Sequence, residues 1–170
     1  MLFTFLFMIA AVVLDQISKY LVLRYLVPVG SYPLLEGILH FTYVENTGAA
    51  FGMLKDHRWV FLILSTAAII AVIAYVIVIR PKGWLERIAL ASIAGGGIGN
   101  MIDRVMRGFV VDFIDVTCID FYVFNVADSF VCVGCGLMIL ALLLEEFRQK
   151  KEKSAPGAEE KSDGKSDADA

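Results

Sequence analysis

Apolar residues run through this chain in four long stretches, at about 2–26, 59–79, 84–105 and 126–147. Each is near the roughly 20 residues that an α-helix needs to cross the hydrocarbon core of a bilayer. The pattern predicts an all-α membrane protein with four transmembrane helices, forming one domain over residues 1–148. The first stretch lacks the basic residues that open a secretory signal peptide. Asp15, Ser18 and Lys19 also continue its helical pattern, so it is read as a retained span. Residues 149–170 are expected to form a disordered cytoplasmic tail. From Ser154 onward they are Ser, Gly, Ala, Pro, Asp, Glu and Lys, with no aromatic residue to bury.

The connections set an expected orientation. The short link between the second and third stretches and the first turn beyond it hold Arg80, Lys82 and Arg87, and the fourth stretch is followed by Arg148, Lys150, Lys151 and Lys153. Both should face the cytoplasm by the positive-inside rule, which puts both termini there as well. Lys55 and Arg58 on the other side weaken this bias without reversing it. Two longer connections, about 27–58 and 106–125, then face outward. In the first, His40–Val44 alternates as a short strand would. That loop is expected to supply a small β-containing extracytoplasmic cap, joined there by the second.

Composition agrees with a lipid solvent. The chain is 58% hydrophobic, against about 45–50% for soluble domains. Its net charge of −3 and scattered basic residues exclude nucleic acid as an expected partner. Of three cysteines, Cys132 and Cys135 form a C-x-x-C inside the fourth apolar stretch, with no histidine nearby. They are read as small packing residues rather than a redox or metal motif.

Polar residues inside the spans are costly, and each is a functional candidate. Asp15, Ser18 and Lys19 share one helical face at i, i+3 and i+4, as do Asn100, Asp103 and Arg104. At about 1.5 Å per residue, Asp15 lies roughly 20 Å along its helix, in the outer half of the bilayer. Gly95–Gly99 permit close approach of a neighbouring helix or a substrate backbone. They lack the Lys-Ser/Thr of a phosphate-binding loop. Asn125 and Asp128 fall at i, i+3 where the fourth helix begins, where the helix dipole suits a carboxylate. Asn46 and Gly48 lie in the first outer loop, and Asp112 and Asp115 in the second. Each cluster alone has a structural explanation: an internal Asp15–Lys19 pair, an interfacial Asp103–Arg104 pair, a helix-start carboxylate, a turn. All of them map to the same outer layer, which points to one polar pocket.

Carboxylates dominate that pocket. The only histidines, His40 and His57, sit in the first outer loop, and adjacent residues such as Ser18 and Lys19 diverge on a helix. Two facing aspartates cannot both ionise cheaply, so they share a proton. The ionised one can act as general base on water, and the protonated one can polarise a carbonyl and then protonate the leaving amine. Such chemistry calls for no metal and no cofactor. Spacing alone does not choose among the aspartates.

The ordered motifs Asp15-Gln-Ile-Ser-Lys19, Asn46-Thr-Gly48-Ala-Ala-Phe51, Gly96-Gly-Ile-Gly-Asn100-Met-Ile-Asp103-Arg104, Val110-Val-Asp112-Phe-Ile-Asp115 and Phe124-Asn125-Val-Ala-Asp128 resemble those of the bacterial lipoprotein signal peptidases, or signal peptidase II. The resemblance covers nearly all of residues 1–148. It implies an aspartic endopeptidase of the bacterial cytoplasmic membrane, with its site near the outer face. The implied substrates are prolipoproteins that carry diacylglycerol on a cysteine, cut just before that cysteine, with membrane lipids as the surroundings. It further implies Asp112 and Asp128 as the catalytic pair. Asn46, Gly48, Asn100, Arg104 and Asn125 would line or organise the site, and Asp15, Lys19 and Asp103 would support it. Asp115 is not assigned to catalysis.

The contrasting reading is a transporter or proton relay built on intramembrane carboxylates. A relay needs ionisable positions through the full depth of the membrane, and the second stretch holds no charged residue. A presenilin-type protease expects Gly-x-Gly-Asp in a helix, where this chain has Gly99-Asn100.

Overall fold

The computed structural model describes residues 1–48, 58–119 and 121–153. Helix α1 spans Leu2–Leu21 and widens into a π-helical turn over Val22–Leu26. Strands β1 (Ser31–Leu35) and β2 (Leu39–Asn46) follow, then helices α2 (Arg58–Ile79) and α3 (Trp84–Met106). Strand β3 (Val110–Asp115) and a short 3₁₀ turn (Thr117–Ile119) precede helix α4 (Val126–Lys153). Of the disordered tail expected at 149–170, residues 149–153 instead continue helix α4, and the remainder, with Ala49–Phe51 of the Asn46 motif, Lys55 and His57, lies outside the described residues.

The helices bury the opposite of what a water-soluble bundle buries. In α1 the buried residues are Thr4, Ala11, Asp15 and Lys19, one stripe at helical spacing, while Leu6, Val13, Leu14 and Ile17 are exposed. Lipid is as apolar as leucine, so helices in a membrane associate through close backbone packing and polar contacts. Helix α3 takes this furthest and packs against α1, α2 and α4. Its buried positions include Ala89, Ala91, Ser92, Ala94, Gly95, Gly96, Gly99, Asn100 and Asp103. A methyl group added at Gly95 would meet Met8 and Ala11 of α1, and at Gly96 the Ala127 carbonyl and Val131 of α4. The glycine run therefore serves neighbouring helices.

Among the described residues, three helical segments are long and apolar enough to cross a membrane: Leu2–Leu26, Leu62–Ile79 and Val126–Lys151. Four were expected. Helix α3 has the length, at 23 residues, but its small and polar residues dilute its apolar character. Helix α4 extends past the apolar run to Lys153, and a Glu146–Lys150 ion pair of 2.6 Å supports its last turns.

The cysteine reading needs correction. Cys132 and Cys135 are free and exposed on α4, not packed. Gly134, between them, makes the close contact, with Ala89, Ser92 and Ile93 of α3. Cys132 and Cys135 lie two and one residues from Gly134, spacings at which helical side chains do not share its face.

The three strands form one antiparallel sheet in the order β1-β2-β3. Gly37, at φ +70°, makes the left-handed position of the β1–β2 turn. The expected strand at His40–Val44 lies within β2. The second loop joins the cap as expected, but as a third strand, β3, which the sequence did not announce. Val110-Val111 and Phe113-Ile114 read as a nearly continuous apolar run, so its alternation is hidden. Val111 and Phe113 pack with Val22 and Leu26 of the π-helical turn, while Asp112 takes the other face. Beyond Asp112, β3 is held by bonds between Ile114 and Phe124 in both directions, at 2.7 and 3.0 Å.

Candidate active site

Two of the polar clusters meet in a buried ionic knot. The Lys19 ammonium has three protons and finds three acceptors: Asp15 Oδ2 at 2.9 Å, Asp103 Oδ2 at 3.1 Å and Asn100 Oδ1 at 2.8 Å. All three charged side chains are fully buried. Arg107 adds a second positive charge, 2.6 Å from Asp103 Oδ1. Two carboxylates against two cations leave no net charge, which is how buried ions become tolerable. The pair read as self-contained in α1 is thus shared across two helices.

The knot also fixes the elements that carry the rest of the site. Asp15 Oδ1 accepts the Ala127 amide of α4 at 3.0 Å, and Asp103 Oδ2 accepts the Val111 amide of β3 at 3.1 Å. Gln16 and Arg107 belong to this arrangement and were missed as candidates. Gln16 donates to Asp15 Oδ2 and the Gly99 carbonyl, each at 3.1 Å. Its signal was a polar amide inside an apolar helix; that of Arg107 was its i, i+4 spacing from Asp103.

Asn125 caps α4 reciprocally. Its Oδ1 accepts the Asp128 amide at 2.9 Å, and Asp128 Oδ2 accepts the Asn125 amide at 3.2 Å, a capping box built from Asn and Asp. With its oxygen so used, the Asn125 Nδ2 group faces inward. It donates to Asp112 Oδ1 at 2.6 Å and to Asn100 Oδ1 at 3.0 Å.

Asp112 and Asp128 thereby come under one set of donors. Asp112 Oδ2 accepts Asn46 Nδ2 at 2.9 Å, and Asp128 Oδ1 accepts Asn100 Nδ2 at 2.7 Å. All four carboxylate oxygens receive an N–H. Asn46 is itself oriented by the Gly48 amide, which donates to its Oδ1 at 3.0 Å. Arg104 approaches the Gly48 carbonyl at 3.5 Å and the Asn100 carbonyl at 3.4 Å, within electrostatic range of Asp128, Asp112 and Asp103. The ten site residues that the resemblance implied therefore join one network, and Asp115 does not.

Asp112 is 2% exposed, and its carboxyl pKa is pushed up to about 6. Burial is the main cause, and the Asp128 charge adds to it, while the Asn46 and Asn125 donors pull the other way. Asp128 is half-buried. Asp115 lies apart, accepting Thr42 Oγ1 at 2.8 Å and in register with His40. Two coupled carboxylates, one nearly dry and one reachable, suit proton exchange with a water and a polar substrate.

The family model for signal peptidase (SPase) II matches residues 7–144. The lipoprotein signal peptidase of Caldanaerobacter subterraneus subsp. tengcongensis is 50% identical over 127 residues, covering 75% of this chain and 86% of that one. That of Bacillus subtilis is 38% identical over 150 residues, covering 86% and 97%. A solved structure described as a bacterial membrane enzyme, determined by the in meso method at 2.3 Å resolution, superposes with a TM-score of 0.80 at 34% identity. It covers 89% of this chain and 93% of that chain.

Proposed function

The chain belongs to the signal peptidase II family, and from that premise we propose that it removes signal peptides from prolipoproteins by an aspartic mechanism centred on Asp112 and Asp128. The observation that carries this reading is the Asn125 amide. It donates to Asp112 while its own oxygen and backbone engage Asp128, so the two carboxyl groups are held as a unit.

In the proposed reaction the ionised member of the pair takes a proton from water as its oxygen attacks the scissile carbonyl. The protonated member hydrogen-bonds the carbonyl oxygen. Collapse breaks the C–N bond, and the proton passes to the leaving amine, giving a free carboxylate and a new N-terminus. Asn46, Asn100 and Asn125 aim donors at the pair, Arg104 supplies positive charge beside it, and Asp15, Lys19 and Asp103 hold α1, α3, α4 and β3 in register. The substrate is a precursor with a diacylglyceryl group on the cysteine after the cleaved bond. The protein lies in the bacterial cytoplasmic membrane with α3 as a fourth span, both termini cytoplasmic and the site near the outer face.

The test is a cleavage assay in membranes with diacylglyceryl-modified and unmodified precursor side by side. Cleavage of the modified form, lost in both Asp112→Asn and Asp128→Asn while each variant still inserts, is the expected result. Retained cleavage in either variant sinks the dyad, and cleavage of neither precursor by the unaltered protein sinks the peptidase reading.

A further inference from the structure

A cavity of about 480 Å³ lies on the side of the sheet away from Asp112. Its size falls in the roughly 300–1,000 Å³ range of small-molecule sites. Leu21, Val22, Tyr25 and Val29 form one wall, and Phe41 and Phe113 of the sheet another. The Ser18 hydroxyl at its edge is already spent on the Asp15 carbonyl, at 2.7 Å. Tyr25 and Tyr32 bring the only other hydroxyls to the lining, and the rest of it is hydrocarbon, which suits an acyl chain.

Its position says which hydrocarbon. Leu14, Ile17, Leu21 and Tyr25 are all exposed and follow one another at three- and four-residue spacing, a continuous apolar stripe along the membrane helix α1. The last two line the cavity, so the lipid-facing surface of α1 runs directly into it. At this end of α1 the helix loosens into the π-helical turn Val22–Leu26, and such turns often mark functional sites. Arg24 is the only exposed cation between Ser18 and Leu35, and it sits on that turn. Long cationic side chains near the ends of membrane helices reach toward the headgroup interface. The 154–170 segment, which holds no apolar side chain larger than alanine or proline, is unsuited to fill the cavity. The diacylglyceryl group of a substrate would be joined next to a bond at Asp112, and Asp112 and Phe113 face opposite sides of β3.

We propose that this cavity is a binding site for a membrane phospholipid, with one acyl chain against Leu21, Val22, Phe41 and Phe113 and an anionic headgroup at Arg24. The bound chain backs the strand that presents Asp112 and completes the packing of the sheet against α1. The site is separate from the peptidase reading and stands without it.

The experiment uses the full chain carrying Trp59→Phe and Trp84→Phe, with a single tryptophan placed by Val29→Trp. A companion protein carries Ile63→Trp, on the exposed face of α2. Each is reconstituted in phosphatidylcholine vesicles with increasing phosphatidylglycerol brominated at mid-chain. A tryptophan beside the site should be half-quenched at a mole fraction about fivefold lower than one facing bulk lipid, and Arg24→Gln should remove that difference. Coincident curves for the two tryptophans overturn the site. So does quenching that changes with protein-to-lipid ratio, which would mean a second copy of the chain in the cavity. Adding a diacylglyceryl-modified precursor to the Asp112→Asn form should leave the quenching unchanged. Its relief would assign the cavity to substrate and overturn the phospholipid.

Discussion

Lys19 donates to Asn100 Oδ1 across 2.8 Å, and this bond dictates which way the Asn100 amide faces. An ammonium has donors only, so the amide oxygen must turn toward it. The Asn100 NH₂ group is then left pointing at Asp128, 2.7 Å away. A residue that does not touch Asp128 thus decides that Asp128 meets a donor.

That relationship predicts coupling. In an Asp15→Asn background, which offsets the lost cation while keeping an acceptor for Ala127, Lys19→Met and Asn100→Ala should each slow cleavage. Their combination should be little worse than either alone. A double-mutant cycle on kcat measures this, and additive losses would assign Lys19 a purely structural part. Lys19→Met without compensation leaves Asp15 and Asp103 buried with one cation too few, at a cost of about 3–5 kcal/mol read from thermal unfolding.

The raised Asp112 pKa makes stability pH-dependent in a stated direction. The folded protein holds this proton up to about pH 6, against 3.8 for the ordinary carboxyl. The stabilisation from the retained proton is fully present below about pH 4 and is lost as pH rises through 6. The difference amounts to about 3 kcal/mol. Thermal midpoints in detergent should therefore fall for the unaltered protein relative to Asp112→Asn over that interval. Parallel curves would count against the shift.

Asp115 is the aspartate most easily confused with the pair, three residues from Asp112 on the same strand. It bonds to Thr42, which is itself 3.0 Å from Ser31, so it belongs to the hairpin rather than the donor network. Asp115→Asn should retain cleavage within a few-fold, since a neutral amide oxygen still accepts from Thr42. Asp112→Asn should lose at least about a hundredfold. The same precursor assay reads both.

Two helical glycines should respond in opposite ways. A methyl group at Gly96 would run into the Ala127 carbonyl, and the backbone there is tied to Asp15. Gly96→Ala should destabilise by about 1–3 kcal/mol and disturb the start of α4. Gly136 has open space around it, so Gly136→Ala should be neutral or gain about 0.5–1 kcal/mol from helix propensity. Unfolding midpoints of the two variants separate these outcomes.

Much of this arrangement was legible in the residues alone. The apolar runs placed α2 and α3 within one residue at each end, because lipid demands about 20 apolar residues whatever they pack against, but they did not foresee that α4 continues to Lys153. Helical spacing put Asp15 with Lys19 and Asn100 with Asp103, because i, i+3 and i+4 share a face in any α-helix. The alternation at His40–Val44 announced β2. By contrast, β3 was hidden because its two faces are both buried along Val110–Phe113, and burial on both faces erases the period of two. The exposed cysteines were misjudged because helical phase, which decides what packs, is set by the neighbour and not by the helix itself.

Hydrophobic length and local spacing are properties of the chain, so the residues alone establish a membrane protein whose carboxylates and amides cluster on shared helical faces. How those groups join comes from the packed fold: Lys19 between two helices, Asn125 between two aspartates, and Asp112 turned to the face of β3 opposite Phe113. Those relationships depend on helix crossing and strand register, which link residues as far apart as Asp15 and Ala127, and no local rule reaches across that distance.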